Sequence, residues 1–197
     1  YYPKSVGAWW IDSYSLNYMQ KKYGIDGALI VADQYSTDNY QIWGQYFGTP
    51  YYPYNKNALF PAQNTENKIP IVMMQWAVRD PVNGYGEGVN ETTYSVQAND
   101  YLDYHNLTSS YFGKLVDLYT NQPQNQFNFL VVGLENSYSW KKYQNEYQKQ
   151  IEILADKQSK WQFSVTTMSD FASWYKNKFP GISPEQIIIA DDTLGTS

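Results

Sequence analysis

The chain has 197 residues, a formal net charge of −5 and no cysteine. This length suits one domain with a substantial core, and the excess of acidic residues argues against a nucleic-acid-binding protein, which needs a basic surface. The absence of cysteine excludes disulfides, thiol catalysis and thiolate metal sites.

The first half of the chain alternates apolar runs typical of buried strands with helical periodicity. Ser5–Trp10 predicts a strand, and Ser13–Tyr23 predicts a helix that ends at Gly24. The run Gly27–Ala32 predicts a second, doubly buried strand. A long loop rich in tyrosine, glycine and proline follows it, and Ile69–Ala77 predicts the next strand.

The second half continues this alternation. Its clearest predicted strand is Phe127–Leu134, and its clearest predicted helix is Ser139–Gln158. That helix carries a stripe at helical spacing that we expect in the core: Trp140, Tyr143, Tyr147, Ile151 and Leu154. The remaining predicted elements are helices over Thr108–Tyr119 and Ser169–Phe179 and strands over Trp161–Val165 and Ile187–Ala190.

Near-continuous apolar strands between amphipathic helices predict an α/β fold with a mainly parallel sheet covered by helices on both faces. An irregular or partial (β/α) barrel is the first expectation, since about six strands are predicted where a full barrel has eight. A doubly wound open sheet is the alternative. We expect one barrel-like domain over residues 1–197, belonging to a longer exported protein, because the chain starts at Tyr1 without methionine.

Polar and acidic residues follow the predicted strands, where parallel α/β folds collect their reacting groups. Glu135 ends the strand Phe127–Leu134, and burial there would raise its pKa, as a general acid requires. Asp33 is the predicted second carboxylate, with Asp12 and Asp191 as alternatives, since glycoside hydrolysis uses two carboxylates roughly 5–9 Å apart. The predicted substrate-binding residues combine indole and phenol rings with polar groups, as sugar sites do: Trp10, Asp12, Trp76, Arg79, Asn136 and Tyr51.

Structural roles compete with these predictions. A carboxylate after a strand is often the N-cap of the next helix, and Asp12 suits that role before Ser13–Tyr23. Arg79 and Asp80 could form a local ion pair that holds the glycine-rich loop Arg79–Val89.

The predicted strand ends should meet at one mouth of a barrel. We therefore expect Glu135, Trp10 and Asp33 to face a shared cleft, with Trp76 and Arg79 on its rim. The tyrosines of the loop over residues 43–54 would cover part of this cleft, or would pack against a neighbouring domain or subunit.

His105 is the single histidine of the chain. With no cysteine, the chain offers mainly oxygen donors, so we predict no transition metal and no cofactor. A calcium site in the acidic loop Asp33–Asp38 stays open as an alternative. No nucleophile-elbow motif accompanies His105, which argues against a Ser/His/Asp hydrolase.

Three segments resemble the glycoside hydrolase/deacetylase superfamily of β/α barrels, which includes the NodB-type polysaccharide deacetylases and the family 57 glycosidases. The segments are Gly7–Leu16 (GAWWIDSYSL) with its helix, Gly48–Tyr51 (GTPY) and Thr167–Phe171 (TMSDF). The resemblance implies a carbohydrate-handling barrel. Two histidines four residues apart bind the metal in the deacetylases, whereas Trp9 and Ser13 stand at these places here, and Gly48 replaces the loop arginine. The resemblance therefore does not imply a standard metal-dependent deacetylase.

Two functions follow as expectations. The first is an extracellular carbohydrate-binding or cell-surface domain that derives from the deacetylase-like superfamily without its metal site. The second is a glycoside hydrolase that uses strand-end carboxylates. The 21 tyrosines and the low share of charged residues, 17%, favour a secreted or cell-surface glycoprotein, with acceptor patterns for glycosylation at Asn90 and Asn106.

The expected partner is a polysaccharide or glycan, together with neighbouring domains or subunits of a surface assembly. Nucleic acid is not expected as a partner. No apolar run approaches the ~20 residues that a membrane helix requires, so no membrane insertion is expected either.

Overall fold

In a computed structural model of the chain, the described residues are 2–8, 11–30, 49–83, 93–135, 137–161 and 163–189. Contacts along the chain divide it into two compact units. The first contains Tyr1–Asp33, Gln41–Trp76 and Val165–Gln186, and the second contains Gln34–Tyr40, Ala77–Ser164 and Ile187–Ser197. The single barrel-like domain stays a prediction.

Helices and strands occupy these bounds in the described residues. The strands are β1 (Ser5–Ala8), β2 (Gly27–Ile30), β3 (Pro53–Tyr54), β4 (Asn57–Pro61) and β5 (Val72–Gln75). The helices are α1 (Ser13–Tyr23), a π-helix (Asp100–Tyr104), α2 (Ser109–Thr120), α3 (Trp140–Trp161) and α4 (Met168–Lys178). Within this part of the chain, no helix combines the length and apolarity needed to cross a bilayer.

The first unit is built on a parallel sheet with strand order β1-β2-β5. Gly27 of β2 pairs with Ser5 on one side and Val72 on the other. An antiparallel hairpin, β3–β4, lies between β2 and β5 in the sequence. The α/β class and the parallel sheet are confirmed. Three strands are paired in the described part of this sheet, so its closure into a barrel stays a prediction.

Local signals fix both ends of α1. The Asp12 side chain caps the N-terminus by accepting a hydrogen bond from the Ser15 backbone N–H at 2.8 Å. Gly24 ends the helix with φ 65, a left-handed conformation that glycine adopts without strain, and its N–H donates to the Gln20 carbonyl. The predicted bounds Ser13–Tyr23 are confirmed.

Helices cover both faces of the sheet. Ala28 and Ile30 of β2 share a buried cluster with Leu16 of α1. Gly27 points to the other face, because alternate residues of a strand do so. A Cβ added there would lie 3.2 Å from the Ala172 Cβ of α4. Glycine therefore lets α4 approach β2 closely, as the prediction of a covered parallel sheet requires.

The second unit is mainly helical in its described part. Helices α2 and α3 pack against each other, and Phe112, Leu115 and Tyr119 of α2 are buried as predicted. The Thr108 side chain caps α2 by accepting a hydrogen bond from the Ser110 N–H. The π-helix Asp100–Tyr104 precedes α2, and its first two residues are buried.

Two predicted strands of the second unit are not strands in the structure. The segment 127–134 is half-buried and irregular, and 187–189 is irregular as well. Side-chain amides satisfy the backbone groups that a strand there would use: Asn125 Oδ1 accepts from the Ile187 N–H, and Gln122 Oε1 accepts from the Ile189 N–H. The predicted central positions of these two segments in the sheet are therefore wrong.

The predicted core stripe of α3 is wrong at two of its five positions, and Tyr147 and Leu154 are half-buried. Tyr143 is buried, but Trp140 and Ile151 are 56% and 48% exposed. The helix buries Glu146 and Gln150 instead. Gln150 Nε2 donates to the Val96 carbonyl and to the Tyr101 hydroxyl, both at 3.0 Å, so hydrogen bonding rather than hydropathy sets this face. The helix also extends to Trp161, where a strand over 161–165 was predicted.

Candidate functional site

A buried carboxylate, Asp100, lies at the start of the π-helix in the second unit. Its Oδ2 accepts hydrogen bonds from Ser95 Oγ at 2.6 Å and Gln97 Nε2 at 3.3 Å. Its Oδ1 accepts one from Asn99 Nδ2 at 2.7 Å. The Asp100 side chain is 9% exposed. π-Helices are rare and often occur at functional sites, which makes Asp100 the natural centre of a site.

The pKa of Asp100 is raised above its ordinary value. Burial is the main cause, because it penalises the charged form, and the negative charge of Glu135 acts in the same direction. The hydrogen bond from Ser95 and the charge of Arg79 oppose the shift. Asp100 therefore holds a proton more readily than an exposed aspartate, as a proton donor or a hydroxyl-binding group requires.

Arg79, the only arginine of the chain, pairs with Asp100 rather than with its sequence neighbour Asp80. The Arg79 Nη1 to Asp100 Oδ2 distance is 3.5 Å, and Arg79 is buried rather than on a cleft rim. Asp80 accepts hydrogen bonds from the Val82 and Asn83 N–H groups and from the Tyr111 hydroxyl. The proposed Arg79–Asp80 pair and the rim position of Arg79 are therefore wrong.

Glu135 acts on this centre electrostatically, because its charge contributes to the raised pKa of Asp100 and of Tyr138. It does not end a strand, since the predicted strand before it is irregular, and it is half-buried. Its Oε2 accepts a hydrogen bond from Ser137 Oγ at 3.2 Å. Of the predicted site residues, Arg79 thus contacts Asp100 directly, and Glu135 influences it through its charge.

Two tyrosines give this site an exposed aromatic edge. Tyr138 is 37% exposed, and Tyr104 is more exposed still. Burial, Glu135, Asp100 and Tyr104 together raise the pKa of the Tyr138 hydroxyl to about 12, so it stays a hydrogen-bond donor at neutral pH. A ring with a protonated hydroxyl next to carboxylates suits the C–H faces and hydroxyls of a sugar.

Two buried acceptors next to Asp100 have no hydrogen-bond partner among the described residues: Gln97 Oε1 and Asn99 Oδ1. The side-chain nitrogen of each amide donates a hydrogen bond to Asp100, and the side-chain oxygen is the atom without a partner. Buried polar atoms usually have a hydrogen-bond partner, so these two oxygens suit a ligand that donates hydrogen bonds.

Other predicted residues take structural positions. Asp12 caps α1, and the hydrogen bonds from Ser15 lower its pKa. Tyr51 is buried, and its hydroxyl donates to the Ala58 carbonyl at 2.7 Å, so its ring offers no stacking face for a sugar. Trp76 directly follows β5 in the first unit and is half-exposed. Contact of Asp12 or Trp76 with a substrate stays a prediction.

Several predictions fall outside the described residues. These include the cleft residues Trp10 and Asp33, so the shared cleft with Glu135 stays a prediction. The same holds for the remaining residues in this group: Asn136, Asn90, Asp191 and residues 43–48 of the tyrosine-rich loop. Of the tyrosines in its described part, Tyr51 and Tyr52 are buried.

His105 and the second glycosylation pattern are described. The His105 ring stacks on Tyr94, with ring centroids 3.5 Å apart, and its Nε2 lies 2.6 Å from Thr93 Oγ1. Asn106 is exposed, with φ 53. Within the described part of the chain, no group of three or more His, Asp or Glu residues is arranged to hold a metal ion.

Sequence reasoning missed Asp100 and Tyr138. Asp100 lies away from the predicted strands, so the rule that reacting groups follow parallel strands could not find it. Tyr138 lies in the segment that follows the predicted strand Phe127–Leu134, but only Glu135 and Asn136 of that segment were selected. The stretch Ser95–Tyr104 (SVQANDYLDY) did carry a signal, because Asn99 and Asp100 interrupt apolar residues at positions that a helix would bury.

The chain matches, over residues 1–184, the model of a family described as a domain of unknown function with a solved structure, DUF3863. No curated protein matches it significantly. The structure is similar to the crystal structure of a candidate glycoside hydrolase/deacetylase from Parabacteroides distasonis, with a TM-score of 0.70 and 14% identity. The similarity covers 91% of this chain and 44% of that one, so the chain spans less than half of its length. At this identity the similarity shows the fold alone.

Proposed function

The chain belongs to the DUF3863 family, and we propose that it binds a carbohydrate at a site made by Asp100, Glu135 and Tyr138. We place this binding outside the cell or at the cell surface. The fold neighbour, described as a candidate glycoside hydrolase/deacetylase, supports the carbohydrate class of ligand.

The combination of a buried carboxylate with an exposed tyrosine carries the proposal. The Tyr138 N–H donates to the Glu135 carbonyl at 3.2 Å, so the ring and one acid are neighbours. The charges of Glu135 and Asp100 both contribute to the raised pKa of Tyr138. The unpaired oxygens of Gln97 and Asn99 add acceptors for sugar hydroxyls. These are the groups that a neutral or amino sugar needs, and they require no metal.

Glycan-array binding of the full chain tests this function. We expect a defined set of glycans to bind, and we expect Tyr138→Ala and Glu135→Gln to weaken that binding about tenfold or more. Trp174→Ala is the matched control, since it removes an exposed aromatic ring in the first unit. Glycan binding that Tyr138→Ala and Glu135→Gln leave unchanged would contradict the proposed site.

Glycoside hydrolysis is the second candidate, and the raised pKa of Asp100 favours it. In such a reaction Asp100 would donate its proton to the glycosidic oxygen as the bond to the anomeric carbon breaks. Glu135 would either take a proton from the water that attacks this carbon or form a glycosyl ester with it, which water then hydrolyses. Asp100 would replace Glu135 in the role of acid that the sequence suggested.

Reducing-sugar release from the glycans that bind separates the two candidates. If the chain is a hydrolase, Asp100→Asn should abolish release while glycan binding persists, because the isosteric amide keeps the site's shape but cannot donate the proton of an acid. Binding without release by the unmodified chain would leave carbohydrate binding as the function.

The surface location rests on composition and is tested separately. The 21 tyrosines and the many neutral amides favour an exported protein. Protease treatment of intact cells that express the natural gene should remove the chain, and protection from protease would contradict the proposed location.

A further inference from the structure

Helix α1 of the first unit presents a stripe of tyrosine and lysine side chains to solvent. Tyr14, Asn17, Tyr18, Lys21 and Lys22 recur at helical spacing and line a shallow open groove of ≈ 400 Å³. Tyr14 is 80% exposed, and Tyr18 is exposed as well. We call these five residues the tyrosine–lysine stripe.

The aromatic surface continues beyond the stripe. Tyr23, at the end of α1, lies 6.1 Å from Tyr18 between ring centroids and 5.1 Å from the exposed Tyr2. Scattered exposed tyrosines are common on proteins. Here the rings form one connected surface, which is typical of a binding site rather than of chance exposure.

The stripe is positively charged in an acidic protein. Helix α1 (SYSLNYMQKKY) contains no acidic residue, although the chain carries a net charge of −5. Lys22 Nζ donates to the Tyr18 hydroxyl at 2.6 Å and lies over the rings of Tyr18 and Tyr23. This hydrogen bond raises the pKa of Lys22, so the cation stays charged and fixed at the edge of the aromatic surface.

We propose that the tyrosine–lysine stripe is a second glycan site, which binds an acidic polysaccharide that carries uronic acid carboxylates. The tyrosine rings stack on the C–H faces of the sugar rings, Lys21 and Lys22 pair with the carboxylates, and the Asn17 amide binds hydroxyls. Because these residues are separate from Asp100, Glu135 and Tyr138, this site extends the proposed carbohydrate function without depending on it.

Calorimetric titration of the full chain with a hexamer of galacturonic acid tests the site. We expect binding that weakens at high salt, because exposed ion pairs are screened. Tyr14→Ala and the double change Lys21→Ala with Lys22→Ala should each weaken it about tenfold. Phe60→Ala and Lys56→Ala, which alter an exposed ring and an exposed cation of the same unit, should leave it unchanged.

Three results would overturn the proposal. The first is no binding of the hexamer, and the second is equal binding by the stripe variants and the unmodified chain. The third is equally tight binding of polyglutamate, which would indicate a docking surface for acidic peptides. Tyr138→Ala separates this test from that of the Asp100 site, since it should not alter binding of the hexamer at the stripe.

Discussion

The two units of the chain build their interiors from different chemistry. The first unit buries an apolar cluster that includes Leu16, Ile71 and Met73, next to a parallel sheet. The second unit buries polar side chains such as Asp100 and Gln150. The buried Tyr101 hydroxyl accepts a hydrogen bond from Gln150. Apolar cores tolerate volume-conserving exchange, whereas a buried polar network is stable only while every partner is present. The interior of the second unit should therefore tolerate fewer substitutions than that of the first, and it contains the candidate site.

Removing Asp100 should show the largest effect on this polar interior. Asp100→Ala leaves the buried Arg79, Gln97 and Asn99 without their shared acceptor, and we expect a loss of about 3–5 kcal/mol in the free energy of unfolding. Urea denaturation measures it. Asp156→Ala is the matched control, because it breaks an exposed ion pair with Lys160 and should cost less than about 1 kcal/mol. Equal losses would mean that the buried Asp100 network stabilises the fold no more than an exposed ion pair does.

The apolar interior should respond to a cavity. Leu16→Ala removes a fully buried side chain between α1 and the sheet, and we expect a loss of about 3 kcal/mol in the free energy of unfolding. Tyr14→Ala, two positions earlier on the opposite, exposed face of α1, should stay within about 0.5 kcal/mol of the unmodified chain. A small effect of Leu16→Ala would contradict the apolar core of the first unit.

Neighbouring positions of α3 sharpen the comparison. Gln150→Ala removes the donor to the Val96 carbonyl and the Tyr101 hydroxyl, and should cost about 1–3 kcal/mol. Ile151→Ala removes an exposed apolar side chain and should change the free energy of unfolding by less than about 0.5 kcal/mol. Thermal denaturation of both variants shows which one loses more stability. A larger loss for Ile151→Ala would favour the apolar core stripe that the sequence predicts.

The smallest expected effect is a difference in pH dependence between two carboxylates. The folded pKa of Asp12 is lowered below its ordinary value of 3.8, so its charge contributes stability above that pH which is lost as the pH falls. The folded pKa of Asp100 is raised, so its contribution is present below 3.8 and is lost as the pH rises. As the pH rises, the unmodified chain should therefore become more stable relative to the Asp12→Asn variant. It should become less stable relative to the Asp100→Asn variant. Urea denaturation from acidic to neutral pH measures both slopes, and slopes of the same sign would contradict this assignment.

Local signals explain which parts of the fold the sequence predicted. The bounds of α1 are confirmed because Asp12 and Gly24 act within one turn of the helix. The strands β2 and β5 are confirmed in position because both are continuous apolar runs, and β5 is shorter than predicted. The class of the fold follows from these elements.

Long-range hydrogen bonds explain what the sequence could not predict. Asn125 binds Ile187, 62 positions away, and this contact replaces the backbone pairing that the apolar run predicted. Gln150 reaches Val96 across 54 positions and turns a polar side chain of α3 inward. Asp100 was missed for a related reason, since its raised pKa comes mainly from burial in the folded unit, with the charge of Glu135, 35 positions away, acting in the same direction.

The path of the chain through the first unit sets the order in which that unit can be completed. Lys176 of α4 binds Asp26, beside β2, across 150 positions, and the Tyr175 hydroxyl donates to the Pro50 carbonyl across 125. On a ribosome, residues 77–164 emerge before α4, so one face of the sheet must wait uncovered while the second unit is synthesised. A nascent chain that ends before Val165 would expose that apolar face. Aggregation and chaperone binding are therefore most expected before α4 has been synthesised.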